Sequence, residues 1–240
     1  MKEPIKEYCK QLRWGNGMVK NYESIKADTH EEFLGKLLEM EPKAWEVHRK
    51  NRCLKQANFD VIKTFNGSSL DHIEIPASVP VDDLKTAAIL ERRENLILYG
   101  PVGTGNTHMA TAIGVEACNQ GKKVKFYRTS ALVNDLNDAQ TAGSFGKMLK
   151  QLSKLDLLIC DEWGYIPLDR QGAQLLFQVV ADCYEKRSII ITTNLEFSKW
   201  NGIFYDEKLT SAIIDRLVHH SHLLVFGGQS YRLTHSTIRK

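Results

Sequence analysis

The most chemically suggestive run in the chain is Gly100, Pro101, Val102, Gly103, Thr104, Gly105, Asn106 and Thr107, with His108 following. Its pattern is the phosphate-binding loop G-x-x-x-x-G-K-[ST], with Asn106 in the lysine position. Glycines let successive backbone N–H groups turn inward and form an anion nest. The N-terminus of a following helix adds partial positive charge, and the Thr107 hydroxyl suits Mg²⁺. A lysine would set a mobile charge against the β- and γ-phosphates, whereas Asn106 offers a neutral amide. Hydrogen bonds to charged groups contribute about 1.5–3 kcal/mol against about 1 kcal/mol for neutral ones. Weak nucleotide binding with severely impaired hydrolysis is therefore expected. Taken alone, the loop reads equally as an ordinary tight turn between strand and helix.

Three further segments change that balance. Leu155 to Glu162 is a mostly apolar run ending in Asp161 and Glu162. An acid at the end of such a strand can hold the Mg²⁺ shell, and an adjacent Glu can act as general base toward water. Two carboxyl groups at the end of a buried strand are costly unless a metal or phosphate uses them; a helix cap is the plainer reading. Ser188 to Asn194 is another buried run, whose Asn194 can orient a water or simply cap a turn. Arg216, within Ser211 to Leu217, can reach a neighbouring subunit's nucleotide as an arginine finger, or form an ordinary surface ion pair. Arg232, after Gln229, Ser230 and Tyr231, carries the same two readings.

In that order these motifs resemble the IstB family of insertion-sequence helper ATPases, which are similar to DnaC-type helicase loaders within the AAA+ group. The resemblance covers about 60–235 and extends to the helical N-terminal region. It implies Asp161 as the Mg²⁺-associated acid, Glu162 as catalytic base, Asn194 as first sensor, Arg216 as finger and Arg232 as second sensor. It also implies ATP/ADP and Mg²⁺ as cofactors and homo-oligomers with nucleotide at subunit interfaces. The implied partners are duplex DNA, which the oligomer deforms, and a DDE-type transposase. A helicase loader, or a DNA-binding scaffold that does not hydrolyse ATP, remains an alternative.

The elements that must position these groups follow from hydrophobic periodicity. Apolar runs at 95–99, 124–128, 155–160, 188–193 and 222–226 read as strands. Helices between them, for example 107–119 and 171–185, predict an α/β class: an AAA+ P-loop fold with a five-stranded parallel sheet flanked by helices. Residues 1–60 read as a small all-helical region and 61–240 as the ATPase domain. In the first, Ile5, Tyr8, Cys9 and Leu12 share one helix face, and Trp14 to Gly17 break the helix. Thr29 and Glu32 form a capping box, and a third segment is expected after Pro42.

Composition sets the bounds. Of 240 residues, 42% are apolar and 25% charged, with net charge +3, which permits nucleic acid as a partner without demanding it. Five scattered cysteines fit reduced thiols in a cytoplasmic protein. No run approaches membrane-spanning length, and the N-terminus lacks the apolar segment of a signal peptide. Arg49, Lys50, Arg52 and Lys55, together with Lys122, Lys123, Lys125 and Arg128, are candidates for phosphate contacts, each one individually better read as solvated surface. His219, His220 and His222 form a small cluster that could bind a metal, but with no Cys or acid at ligand spacing beside them they read better as packing or surface groups.

Overall fold

The computed structural model describes residues 2–12 and 21–234. Its contacts divide the chain into two compact units, Met1–Arg52 and Cys53–Lys240. Helix α1 spans Lys2–Gln11 and helix α2 spans His30–Ala57. The capping expectation holds at α2: the Glu32 N–H donates to Thr29 Oγ1 at 3.1 Å, and the Glu32 carboxylate accepts the Asp28 N–H at 2.9 Å. The separate segment expected after Pro42 is instead the second half of α2. Long runs of strong helix formers on both sides carry the backbone through that position. The expected break at Trp14 to Gly17 lies outside the described residues.

The larger unit is a six-stranded sheet with helices on both faces. Its elements are β1 (Ile73–Glu74), α3 (Val81–Lys85), β2 (Asn95–Tyr99), α4 (Asn106–Asn119), β3 (Val124–Arg128), α5 (Thr129–Thr141), α6 (Phe145–Leu152) and β4 (Leu157–Asp161). Then come α7 (Arg170–Cys183), β5 (Ser188–Thr193), α8 (Glu207–Val218), β6 (Ser221–Phe226) and the short α9 (Tyr231–Thr234). The strand order is β1-β6-β2-β5-β4-β3. Five strands run parallel, and β1 pairs antiparallel with β6. The sheet is thus one strand wider than the sequence suggests. The extra strand is two residues long, in a proline-flanked connector where no alternation can show.

Alternation along the parallel strands builds two cores. Leu96 and Leu98 of β2, Leu157 and Ile159 of β4, and Ile190 of β5 pack on one face with Met109, Ile113 and Ala117 of α4. Leu158 and Cys160 of β4 and Ile189 and Ile191 of β5 turn to the other, against α5, α7 and α8. The β4 strand starts at Leu157, later than its apolar run, because Asp156 turns aside to accept the Lys123 N–H at 2.7 Å. All five cysteines are free and buried. Burial pushes the Cys118 thiol up to about 12 and Cys183 to about 11. No described helix is long and apolar enough to cross a membrane.

Candidate functional site

The loop joins the end of β2 to the start of α4, at the C-terminal edge of the parallel strands, where such sheets bind ligands. Gly105 sits at φ +110 and Gly103 at φ +86, conformations that side chains rarely adopt. A Cβ at Gly103 would also collide with Ser230, so the loop's curvature depends on these residues being glycine. The first N–H groups of α4 have no intrahelical acceptor, and Asn106, Thr107 and His108 supply them. The anion nest expected from the sequence therefore has its backbone in place.

The Asn106 side chain turns inward. Its Nδ2 donates to Gly100 O at 3.2 Å and Leu98 O at 3.3 Å, with Thr193 O at 3.5 Å. Its Oδ1 lies 2.9 Å from the Thr104 hydroxyl, which also faces Pro101 O at 2.7 Å. The amide is thus occupied in tying the loop to the ends of β2 and β5. The loop is pinned from outside too. His72 Nε2 is 3.2 Å from Thr104 O, and His108 Nε2 is 3.0 Å from both Ser68 Oγ and Thr64 O. The Tyr231 N–H donates to Gly103 O at 2.9 Å, which seats the C-terminal segment on the loop.

The acid pair ends β4, with β5 lying between it and β2. Asp161 is 4% exposed, and its Oδ1 accepts from Thr107 Oγ1 at 2.9 Å and from Thr192 Oγ1. The Thr107 bond joins the loop to the acid pair. Glu162 adopts φ +58, a conformation that a non-glycine residue keeps only when its surroundings hold it. Here the Glu162 N–H donates to Thr192 Oγ1 at 3.0 Å and the Trp163 N–H to Thr192 O at 2.8 Å. Thr193 Oγ1 donates to Trp163 O at 2.9 Å, and Thr129 Oγ1 to Asp161 O at 2.8 Å. Behind the turn, Trp163 packs on Trp200 and Phe204 with ring centroids 5.8 and 5.5 Å away. A cleft lined by Thr129, Ser130, Glu162 and Tyr165 opens beside the carboxylate.

The other expected residues fall in different places. Asn194 is exposed directly after β5, next to Thr193, whose carbonyl accepts the Gly100 N–H at 3.1 Å. Arg216, on α8, stacks over the Phe177 ring at 5.0 Å and donates to Ala212 O at 2.9 Å. It is half-buried on its own chain. Arg232 is exposed on the segment seated against the loop. Its charge acts on the Tyr165 hydroxyl, which burial and then the charges of Glu162 and Asp161 push upward and Arg232 draws back.

Among the basic candidates, Arg128 pairs with Asp60 at 2.7 Å, and the hydrogen bond to Asp60 holds its guanidinium above the usual range. Lys125 Nζ donates to Gln56 O at 3.2 Å and lies over the Tyr127 ring. Lys122 and Lys123 precede β3 while Arg128 ends it, so one strand separates them. Lys55 lies on α2 in the larger unit, and Arg49, Lys50 and Arg52 in the smaller.

The residues that sequence reasoning passed over are Thr192, Thr193, Thr129 and His72. A polar pair closing an apolar strand was the visible signal for the two threonines. Nothing local marked the others.

Comparison with known proteins agrees with this geometry. Residues 16–238 match the family described as IstB-like ATP binding protein. The chain is 36% identical over its whole length to the ATP-binding protein named for insertion sequence IS5376 of Geobacillus stearothermophilus, covering 98% of that protein. It is 38% identical to the ATP-binding protein named for IS21 of Pseudomonas aeruginosa, over 85% of this chain and 77% of that one. Among solved structures, DnaI superposes with TM-score 0.54 at 15% identity, over 71% of this chain and 90% of that one. The replication initiator DnaA bound to AMPPCP and single-stranded DNA superposes with TM-score 0.52 at 21% identity, over 62% and 44%. At such identities these two speak for the AAA+ P-loop fold alone. With sheet order, loop and acid pair in agreement, the chain belongs to the IstB-like ATP binding protein family of insertion sequences.

Proposed function

We propose that the chain is an ATP-binding transposition helper that assembles as a homo-oligomer on duplex DNA, deforms it, and recruits or activates a DDE-type transposase in the cytoplasm. The observation that carries the nucleotide part is the 2.9 Å bond from Thr107 to Asp161, which makes the glycine loop and the acid pair one site. Thr107 and Asp161 would hold Mg²⁺, which when bound neutralises charge on the β- and γ-phosphate oxygens. The backbone nest of 103–108 receives the phosphates. Glu162, aimed by its left-handed backbone, is the base toward water. Asn194 and Arg232 would serve as first and second sensors of bound nucleotide.

Arg216, seated over Phe177 on its own chain, would act on a neighbouring subunit's nucleotide. Asn106 limits the cycle. Its amide is occupied by carbonyls of the loop and of the ends of β2 and β5 and brings no charge to the phosphates, so binding persists while hydrolysis is impaired. The names of these relatives, which join ATP binding to insertion sequences, support this assignment. The N-terminal unit leaves Leu34, Leu38, Trp45 and Val47 exposed, apolar surface suited to a protein partner.

The test is DNA binding and particle size with and without ATP and Mg²⁺, for the native chain and for Asn106→Lys. Nucleotide-dependent assembly on duplex DNA is expected for both. DNA binding indifferent to ATP in both would establish a passive scaffold instead. Co-purification with a replicative helicase and not a transposase would establish a loader.

A further inference from the structure

The turn after α7 and the end of α8 meet at the N-terminal edge of the sheet, away from the nucleotide loop. Glu185 stands three residues before β5, and His219 and His220 stand immediately before β6. Among the described residues these form a group whose donor atoms all lie within 4.8 Å of one another, and all are exposed. We propose that Glu185, His219 and His220 form a surface site for a divalent transition-metal cation of the Zn²⁺ class.

Four observations support the assignment. Glu185 Oε1 and His220 Nε2 are 3.3 Å apart, close to the roughly 3.4 Å that separates two donors at bonds of about 2.1 Å around a tetrahedral ion. The His219 and His220 rings sit edge to face with centroids 4.3 Å apart, and the Tyr184 hydroxyl, 3.0 Å from His219 Nδ1, holds the first ring in place. Outer hydrogen bonds of this kind orient imidazoles for ligation. The site lies at the C-terminal end of α8, whose terminal carbonyls favour a cation. Two nitrogens and one oxygen are the donors of Zn²⁺, Co²⁺ or Ni²⁺, whereas Mg²⁺ takes oxygen alone.

The histidines alone read better as surface or packing groups than as ligands, since no acid stood beside them at ligand spacing. The fold supplies the acid from 35 residues earlier. Three protein ligands leave a position for water, so the site is open, and it bridges the α7–β5 turn to the end of the helix that carries Arg216. Because β2, β5 and β6 are parallel, the phosphate loop stands at the other end of the strands, a distance of roughly 20 Å for six residues at about 3.3 Å each. The site is therefore distinct from the one that would hold Mg²⁺.

The test uses tag-free, chelator-stripped full-length chain titrated with Zn²⁺ in a calorimeter. One equivalent per chain is expected, undisturbed by excess Mg²⁺. Binding should weaken at least tenfold in His219→Ala, His220→Ala and Glu185→Gln, and stay unchanged in His222→Ala, whose ring pairs with Glu94. Circular dichroism checks that each variant is folded. Co²⁺ bound to the unmodified chain provides a measurement free of substitutions: its visible spectrum should show nitrogen ligation. No Zn²⁺ uptake, uptake undiminished in the three variants, loss in His222→Ala equal to theirs, or a Co²⁺ spectrum of oxygen ligation only would each overturn the proposal.

Discussion

The loop half and the acid half of the nucleotide site are wired in opposite senses. In the acid half, Thr192, Thr193 and Thr129 each spend a hydroxyl on backbone or carboxylate, and the result is to fix the Asp161 carboxylate and the turn at Glu162. In the loop half, the group that ought to face outward, Asn106, spends its amide on Gly100 O of the loop and on carbonyls at the ends of β2 and β5. The acid half thus has polar groups that hold the two carboxyl residues in place, and the loop half has one that ties the loop to the sheet. A neutral side chain at position 106 therefore leaves the architecture whole, and beneath the two halves lie different hydrophobic cores.

The largest expected effect tests that separation of supports. Trp200 is fully buried between Trp163, Phe197 and Phe204 in the core beneath the acid half. Trp200→Ala should lower unfolding stability in urea by about 3–5 kcal/mol. Hydrogen exchange should rise at 161–165 well before it rises at 100–107, which rests on the other core. Equal rises in both segments would show that the halves are one unit.

Next in size is the restoration of charge. Asn106→Lys should raise steady-state ATP turnover by about 10²-fold or more, the scale of one well-placed donor to developing charge. Adding Glu162→Gln to that variant should return turnover to the starting level. No gain from the lysine would mean that the acid half, not the loop, is the defective part.

A smaller effect is expected at Thr192→Val. It removes the acceptor of the Glu162 N–H and a donor to Asp161, and an unpaired buried group of this kind costs about 1–3 kcal/mol. In the Asn106→Lys background, turnover should fall about tenfold, as a loss of about 1.4 kcal/mol implies, with KM for ATP unchanged. A rise in KM with constant turnover would place Thr192 in the binding half.

Much of this was legible in sequence where the signal is local. Strands 95–99, 124–128 and 188–193 match their expected bounds residue for residue, the first and last because a buried parallel strand takes a run of apolar side chains, and 124–128, at the sheet edge, because Val124 and Phe126 alternate with less buried neighbours. Gly105 and Thr107 were legible because backbone curvature and hydroxyl chemistry permit few other residues. What escaped depends on contacts distant in sequence. The path of α2 through Pro42 is not what a proline rule predicts. The inward fold of Asn106 depends on carbonyls from β2 and β5, so only its identity could be read beforehand. Thr192 was visible as a polar strand end, but its service to Asp161 spans 31 residues. Glu185 meets the histidines only because two strand beginnings lie at one edge of the sheet.

The place of β2 in the sheet bears on the order in which the protein can be made. The strand that feeds the phosphate loop has β5 on one side and β6 on the other. The side chain of Asn95 at its start binds Ile189 N–H, 94 residues later, and Leu217 O, 122 residues later. At roughly 5–20 residues per second of synthesis, β2 waits for seconds before either neighbour leaves the ribosome. The loop's curvature, which leans on Thr193 and on the segment after β6, cannot set until then. A nascent chain is thus without this site until most of these residues have been translated, so no step that needs the loop can begin earlier.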